Sequence, residues 1–429
     1  MIYLIEWKMN LGCMRGEKIM VYVLNPYSRE LFHNHQVIIA NTKSGAFLKT
    51  SKSYYLVLKD MVNKGEIESL LNPTKSSQHT DVIHNLTSLF YELVNIKCIL
   101  TEEQLTNIHE EVLDVVYLGL TNRCNLHCKH CSASADAHFT DALTTEKVKE
   151  IIDQIVVLKP QAINVTGGEP MMRLDIMELL AYIKQTFNGA VLLSTNGLFI
   201  TPKNVEQLIR YVDNVSLSLD GYDEETCDQI RGKGVFSRVI KSIKLMQSKG
   251  LKKIALSMVI TKYTFDGGED KFLDLCGKLG VKPIVRILTS AGRAGENSEE
   301  IFPEKPFVDD LTSQDVTCRL CSPGKREIFI GGNGKIYPCG GLMDSDDFVL
   351  GNVFDNNLIE LMAKGNQKAD HNKIGCVRPW EFEPCKNCNV NLFCHHCISN
   401  IYYLHQNQEL FDTICQKQKK QLQELVWNG

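Results

Sequence analysis

Apolar residues along the chain fall into two patterns. Between about residues 113 and 290, short near-continuous apolar runs alternate with longer stretches in which apolar residues return every three or four positions. The runs Val115–Leu120, Ala162–Thr166, Ala190–Ser194, Val215–Leu219, Ile254–Ile260 and Pro283–Leu288 predict strands. The stretches near 144–158, 174–187, 203–212, 236–249 and 268–279 predict helices. Strands that are apolar on both faces and alternate with helices form a parallel sheet covered by those helices. An open doubly wound sheet and a partial barrel both fit, and in both the ligands sit beyond the C-terminal strand ends.

The segment before residue 110 is patterned differently. Strand-like runs at Met20–Leu24, Gln36–Ala40 and Ala46–Lys49 precede helical patterns at Ser53–Val62, Ile67–Leu71 and Asp81–Ile96. Short strands with three small helices suggest a winged-helix-like module. Its charges are mixed and no Lys/Arg cluster marks a recognition helix, so DNA binding is not favoured. Residues 293–317 read as a polar connection. The segment 318–429 has few periodic runs and much polar loop, as expected of a domain that relies on metal for its fold.

Composition sharpens this picture. The 429 residues carry 47 basic and 51 acidic side chains, a formal net charge of -4, which gives no support for binding to nucleic acid. No apolar run approaches the roughly 18 residues that would span a membrane. Met1-Ile2-Tyr3-Leu4-Ile5 runs into Glu6 and Lys8, so no signal peptide is read there and a cytoplasmic location is expected. Met14–Met20 can be encoded by a purine-rich stretch resembling a ribosome-binding site. Translation is therefore expected to start at Met20, which the intact mass of protein made from its own gene would decide.

The distinctive figure is 16 cysteines, nine of them within residues 318–429 and three within eight residues at Cys124, Cys128 and Cys131. Clustered cysteines in a long intracellular chain read as metal or iron–sulfur ligands rather than disulfides. The first predicted strand runs into Cys124-x3-Cys128-x2-Cys131. Three thiolates leave one iron of a 4Fe-4S cube open to a small molecule. A zinc site recruiting His127 or His130 is the alternative at this point. The second strand ends in Gly167-Gly168-Glu169-Pro170, where two glycines permit close backbone approach and Glu169 can accept from an ammonium group. The third ends in Ser194-Thr195-Asn196-Gly197 and the fourth in Ser218-Leu219-Asp220-Gly221. Arg231 follows, either as a solvated surface residue or as a partner for a carboxylate. In the last segment Cys321, Gly334 and Cys339 precede Cys385-x2-Cys388-x5-Cys394-x2-Cys397 and Cys415, for which zinc is again the bland reading.

In this order and context these motifs resemble the radical S-adenosylmethionine (SAM) superfamily over about residues 115–290, followed by a SPASM domain. The resemblance implies an α/β fold: a partial (β/α)6 barrel over 111–292, with a winged-helix-like leader-peptide recognition module over 1–110 and a SPASM iron–sulfur domain over 318–429. It implies that Cys124, Cys128 and Cys131 hold a 4Fe-4S cluster whose open iron binds SAM. Gly167, Gly168 and Glu169 would meet the methionine amine, and Ser194, Asn196, Ser218 and Arg231 the ribose or carboxylate. His130, at a position that is often aromatic, is expected to pack beside the adenine. One or two auxiliary 4Fe-4S clusters are implied. The first would use Cys321, Cys339 and Cys397, with Cys318 as the fourth ligand, Cys376 as its rival, or the site left open to a substrate thiolate. The second would use Cys385, Cys388, Cys394 and Cys415. The spacing before Cys397 departs from many members and matches some thioether-forming maturases.

The resemblance further implies a ribosomally made, cysteine-rich precursor peptide with a leader as substrate. An electron donor such as flavodoxin or ferredoxin is the other implied partner, with neither nucleic acid nor membrane. Thioether cross-linking is the leading expectation. Carbon–carbon cross-linking, epimerisation with Cys227, Cys276 or Cys376 as hydrogen donor, formylglycine-type oxidation and a zinc-binding regulator are the alternatives. No catalytic base is assigned.

Overall fold

The computed structural model describes residues 20–71, 80–108, 113–304, 311–368, 374, 377–394 and 397–428. Cys13, Cys376 and the question of the starting methionine lie outside them. The chain divides into two compact units, Met1–Glu110 and Glu111–Gly429.

The first unit contains β1 (Tyr22–Leu24), β2 (Ser28–His33), β3 (Gln36–Asn41), β4 (Phe47–Ser51), α1 (Lys52–Lys64), α2 (Ile67–Leu71), α3 (Thr80–Asn95), β5 (Ile99–Thr101) and α4 (Glu102–Ile108). β2, β3 and β4 form an antiparallel sheet in that order, and β1 pairs with β5. Val37 and Ile39 of β3 share a core with Tyr55, Leu58, Leu86, Phe90 and Leu93 of the helices. β2 and β5 are absent from the periodicity reading. Ser28–His33 (SRELFH) is too polar to stand out, and β5 is only three residues long.

The second unit is built on β6 (Val115–Gly119), α5 (Thr145–Leu158), β7 (Ala162–Thr166), α6 (Ile176–Thr186), β8 (Ala190–Thr195), α7 (Val205–Tyr211), β9 (Asn214–Ser218), α8 (Glu224–Arg231), α9 (Val235–Ser248), β10 (Ile254–Ile260), α10 (Gly268–Leu279) and β11 (Lys282–Ile287). Neighbouring strands from β6 to β11 pair in parallel and in chain order. Among the described residues β11 pairs only with β10, so the set is an open (β/α)6 sheet, as a partial barrel requires. Alternate residues, such as Ile163 and Val165 of β7 and Val191 and Leu193 of β8, are buried against α5, α6 and α7. The other face of β7, β8 and β9 carries Asn164, Ser194, Ser216 and Ser218, a polar lining.

Two features correct the sequence reading. Residues 293–317 are not simply a polar connection. They begin with two short helices, α11 (Arg293–Glu296) and α12 (Ser298–Ile301), in which Arg293, Ala294 and Ile301 are buried. The cysteine-rich segment also extends the central sheet. β12 (Glu327–Ile330) pairs in parallel with β6, and β13 (Lys335–Tyr337) and β14 (Gly351–Asn352) continue antiparallel, giving nine strands. Strands of four, three and two residues carry too little periodicity to read. The remaining helices are α13 (Leu358–Lys368), α14 (Asn391–Cys394), α15 (Ile398–Leu404) and α16 (Gln408–Gln423).

Candidate functional site

The loop leaving β6 carries Cys124, Cys128 and Cys131, and the loops leaving β7, β8 and β9 close around it. Gly167 lies at φ +137°, and a Cβ there would stand 2.5 Å from the Thr121 carbonyl; one on Gly168 would stand 2.3 Å from that of Arg123. The glycines thus let the β7 loop lie directly on the cysteine loop, where the amides of Gly168 and Glu169 donate to those carbonyls, each at 2.7 Å. The Glu169 carboxylate is fully buried. It accepts from the amide of Met171 (3.0 Å), Thr195 Oγ1 (2.6 Å) and the amide of Asn196 (2.7 Å). It therefore ties the β7 loop to the β8 loop, using three of its roughly four lone-pair positions. Burial raises its pKa, opposed by those hydrogen bonds and by Arg231.

Asn196 is held by its own loop through Leu198 N (3.0 Å), and its Nδ2 donates to Asn125 Oδ1 (2.8 Å) and towards Cys124 Sγ (3.9 Å). Arg231, at the end of α8, is buried rather than solvated. Its Nε donates to Asp220 Oδ2 at 2.5 Å and its Nη1 lies 3.9 Å from Cys128 Sγ. Asp220 follows β9 with φ +58°, a left-handed conformation that Asp tolerates better than most residues. Its second oxygen accepts from Val259 N at 2.7 Å, and His130 Nε2 lies 3.0 Å from Oδ2. The neighbouring Arg231 and His130 hold the Asp220 carboxyl well below its usual range against the opposing effect of burial. His130 is thus bonded and not merely packed; its Nδ1 is buried with no partner among the described residues. Ser194 Oγ donates to Asn164 Oδ1 at 3.0 Å across the polar lining, and Ser218 stands on the same face one strand further.

Arg293 is a residue the sequence reading missed. Its side chain donates from Nε to the Cys128 carbonyl (3.1 Å) and from Nη1 to that of Ala135 (2.8 Å), and its backbone amide donates to the Cys131 carbonyl (3.1 Å). Asn297 Nδ2 donates to the Lys129 carbonyl at 3.0 Å. The start of the supposed connection is therefore a brace under the cysteine loop. Gly292-Arg293 carries no local signal for this, because its partners lie more than 150 residues earlier.

The remaining cysteines form two groups. Cys339 and Cys397 lie close enough to Cys321 that their charges raise its thiol pKa, Cys397 likewise raises that of Cys339, and burial pushes the Cys339 thiol up to about 12. Cys397 Sγ lies 3.1 Å from Ser399 Oγ, and a Cβ on Gly341 would stand 2.6 Å from that oxygen and 3.8 Å from Cys339 Sγ. Cys318 is 1% exposed. Cys385, Cys388, Cys394 and Cys415 line one cleft with Pro379, Pro384 and Phe411. The Cys385–Cys388 turn is fixed by Asn391, whose Nδ2 donates to the Cys385 carbonyl (3.0 Å). At the other end, Trp427 Nε1 donates to the Asn389 carbonyl (2.9 Å). The latter contact anchors the end of α16, the helix that presents Cys415.

Residues 118–276 match the radical SAM superfamily, and residues 321–389 match the SPASM iron–sulfur cluster-binding domain. The chain thus carries a radical SAM domain followed by a SPASM domain. Its SPASM match includes Cys321, Cys339, Cys385 and Cys388 and stops before Cys394. Among curated proteins it is 29% identical over 264 residues to the mycofactocin maturase MftC of Mycolicibacterium smegmatis, covering 55% of this chain and 66% of that one. It is 25% identical over 347 residues to an AdoMet-dependent heme synthase of Oleidesulfovibrio alaskensis, covering 70% and 86%. Solved structures that resemble it include SuiB of Streptococcus suis bound to its precursor peptide SuiA (16% identity, TM-score 0.47, 80% of this chain and 87% of that one). Another is anSMEcpe with bound AdoMet (16% identity, TM-score 0.49, 74% and 97%).

The radical SAM domain binds a 4Fe-4S cluster and SAM, and the SPASM domain binds auxiliary clusters. The residues present fit these groups. Three thiols share one loop facing Arg231 and Asn196, donors suited to an anionic thiolate cluster, and on the side braced by Arg293 its Nη2 is buried with no partner among the described residues. Burial pushes the Cys128 thiol up to about 11, so cluster assembly releases protons. Among the described residues no three His, Cys, Asp or Glu side chains converge as ligands of a single metal ion. Mononuclear zinc would need four donors about 2.0–2.3 Å from one point. Also among the described residues, no helix is long and apolar enough to cross a membrane.

Proposed function

We propose that the protein is a peptide maturase that uses radical SAM chemistry to install thioether cross-links in a ribosomally made, cysteine-rich precursor. The observation that carries this reading is the combination of one three-cysteine loop at the strand ends with two further cysteine groups in the same compact unit. When bound, the cluster and SAM supply a 5′-deoxyadenosyl radical able to remove hydrogen from an unactivated carbon. The chain's own residues position that chemistry. Arg231 and Asn196 face the cysteine sulfurs, Glu169 locks two rim loops together, and Asn164, Ser194 and Ser218 line the polar face beneath the rim. Closing a thioether is a net two-electron oxidation: one hydrogen atom leaves with the radical, and the clusters that the two auxiliary cysteine groups would hold would accept the remaining electron.

The first unit supports the peptide reading. In its three-stranded sheet β2 and β4 are both outer strands, and a leader peptide would be captured by strand addition at one of them. Epimerisation with Cys227 or Cys276 as hydrogen donor is disfavoured, because they are 0% and 1% exposed within the α/β core, where neither thiol reaches a substrate. A second reading, heme synthesis, is favoured by the 70% coverage of this chain in the match to a heme synthase.

The matched region spans 66% of the mycofactocin maturase, so its substrate does not transfer with the family. The test is incubation of the anaerobically reconstituted enzyme with SAM, a reductant and the cysteine-rich peptide encoded beside its gene. Loss of two hydrogens and of one alkylatable cysteine thiol per cross-link supports the thioether reading. An unmodified peptide alongside conversion of an iron porphyrin to heme would replace it.

A further inference from the structure

Beside the first auxiliary cysteine group stands an acid that none of the sequence motifs includes. Glu327 begins β12 and is mostly buried. The β12–β13 register pairs Ile330 with Ile336 and Phe329 with Tyr337. Continued by two residues, it sets Glu327 directly across from Cys339, on the same face of the sheet. The open end of the hairpin is held at Gly324, whose N lies 2.9 Å from the carbonyls of both Glu327 and Pro338 and donates to them. Glu327 Oε1 also lies 3.6 Å from Cys321 Sγ. One carboxylate therefore adjoins two of the three thiols in this group. It makes no ion pair among the described residues, since the neighbouring Arg326 is engaged with Asp114. A buried acid without a cation is costly unless a metal or a proton neutralises it.

We propose that Glu327 is the fourth protein ligand of the auxiliary cluster held by Cys321, Cys339 and Cys397. This rests on the assignment of those three cysteines to one cluster. The iron supplies the positive charge the carboxylate otherwise lacks, and the strand pairing delivers the side chain to the cysteine group without rearrangement of the backbone. A carboxylate oxygen is a hard donor on a metal that favours soft thiolate, so this corner is the exchangeable one. Cys318, the ligand suggested by motif position, lies three residues ahead of Cys321 and competes for the same corner.

Full-length protein reconstituted anaerobically with iron-57 separates the two by Mössbauer and EPR spectroscopy. Glu327→Gln is expected to convert one auxiliary cluster to a three-iron form on mild oxidation, while Cys318→Ala leaves the four-iron spectrum intact. The reverse pattern overturns the proposal. If Glu327→Gln does not fold, Glu327→Cys serves instead: a retained four-iron cluster with an altered EPR spectrum supports ligation, and an unaltered spectrum overturns it. Cys339→Ala checks the underlying assignment separately, because an unchanged set of clusters there would show that the cysteine grouping itself is wrong.

Discussion

Replacing Arg293 by alanine removes two buried hydrogen bonds from a charged donor, to the carbonyls of Cys128 and Ala135. Each such bond contributes about 1.5–3 kcal/mol, and neither carbonyl gains a new partner in the truncated site. The loop geometry that presents Cys124, Cys128 and Cys131 is thereby weakened by about 3 kcal/mol or more. The lower figure corresponds to roughly 100-fold weaker retention of the cluster. Arg293→Lys restores the charge but not the fork that reaches both carbonyls, so it is expected to fall between the two. The assay is an anaerobic iron-chelator challenge that follows the SAM-sensitive EPR signal of this cluster, with the auxiliary clusters as internal controls. Faster loss of the SAM-sensitive signal alone is the expected result. An Arg293→Ala protein that holds this cluster as firmly as wild type would refute the brace.

Other substitutions probe the same rim. Asp220→Asn strands the buried Arg231 guanidinium and is expected to cost about 3–5 kcal/mol, read by chemical denaturation of the cluster-free protein. Because the Asp220 pKa lies below its unfolded value of about 3.9, its stabilisation is fully present above that pH and is lost as pH falls further. The variant should lack this component of acid destabilisation, seen in stability measured against pH. Gly168→Ala drives a methyl group to 2.3 Å from the Arg123 carbonyl and should destabilise the loop pair by about 1–3 kcal/mol, with loss of SAM binding in calorimetry. Cys124→Ala should abolish SAM cleavage, whereas Cys394→Ala should keep some cleavage and lose peptide modification, both followed by chromatography of 5′-deoxyadenosine and peptide.

The parallel sheet was legible because each buried strand is a near-continuous apolar run between amphipathic helices; Ala162–Thr166 and Ile254–Ile260 appear with the predicted bounds. The cysteine loop was legible because its ligand spacing is local. Asp220 stood in a quoted motif, but its partnership with Arg231 and His130 depends on three separate loops and no local pattern encodes it. Arg293 and Glu327 were missed for related reasons. Arg293 acts on backbone carbonyls, which any residue supplies, and Glu327 acquires its place from a cross-strand register in a hairpin of very short strands. Side chains that work through the backbone or through register leave little trace in residue spacing.

Metal analysis of the anaerobically purified and reconstituted full-length chain bears most directly on the central claim of three clusters serving radical chemistry. A brown protein with about 11–12 irons per chain, in line with three cysteine-held clusters, and negligible zinc is expected. So is 5′-deoxyadenosine formation from SAM that disappears in Cys124→Ala. A colourless protein carrying stoichiometric zinc and releasing no 5′-deoxyadenosine would contradict it.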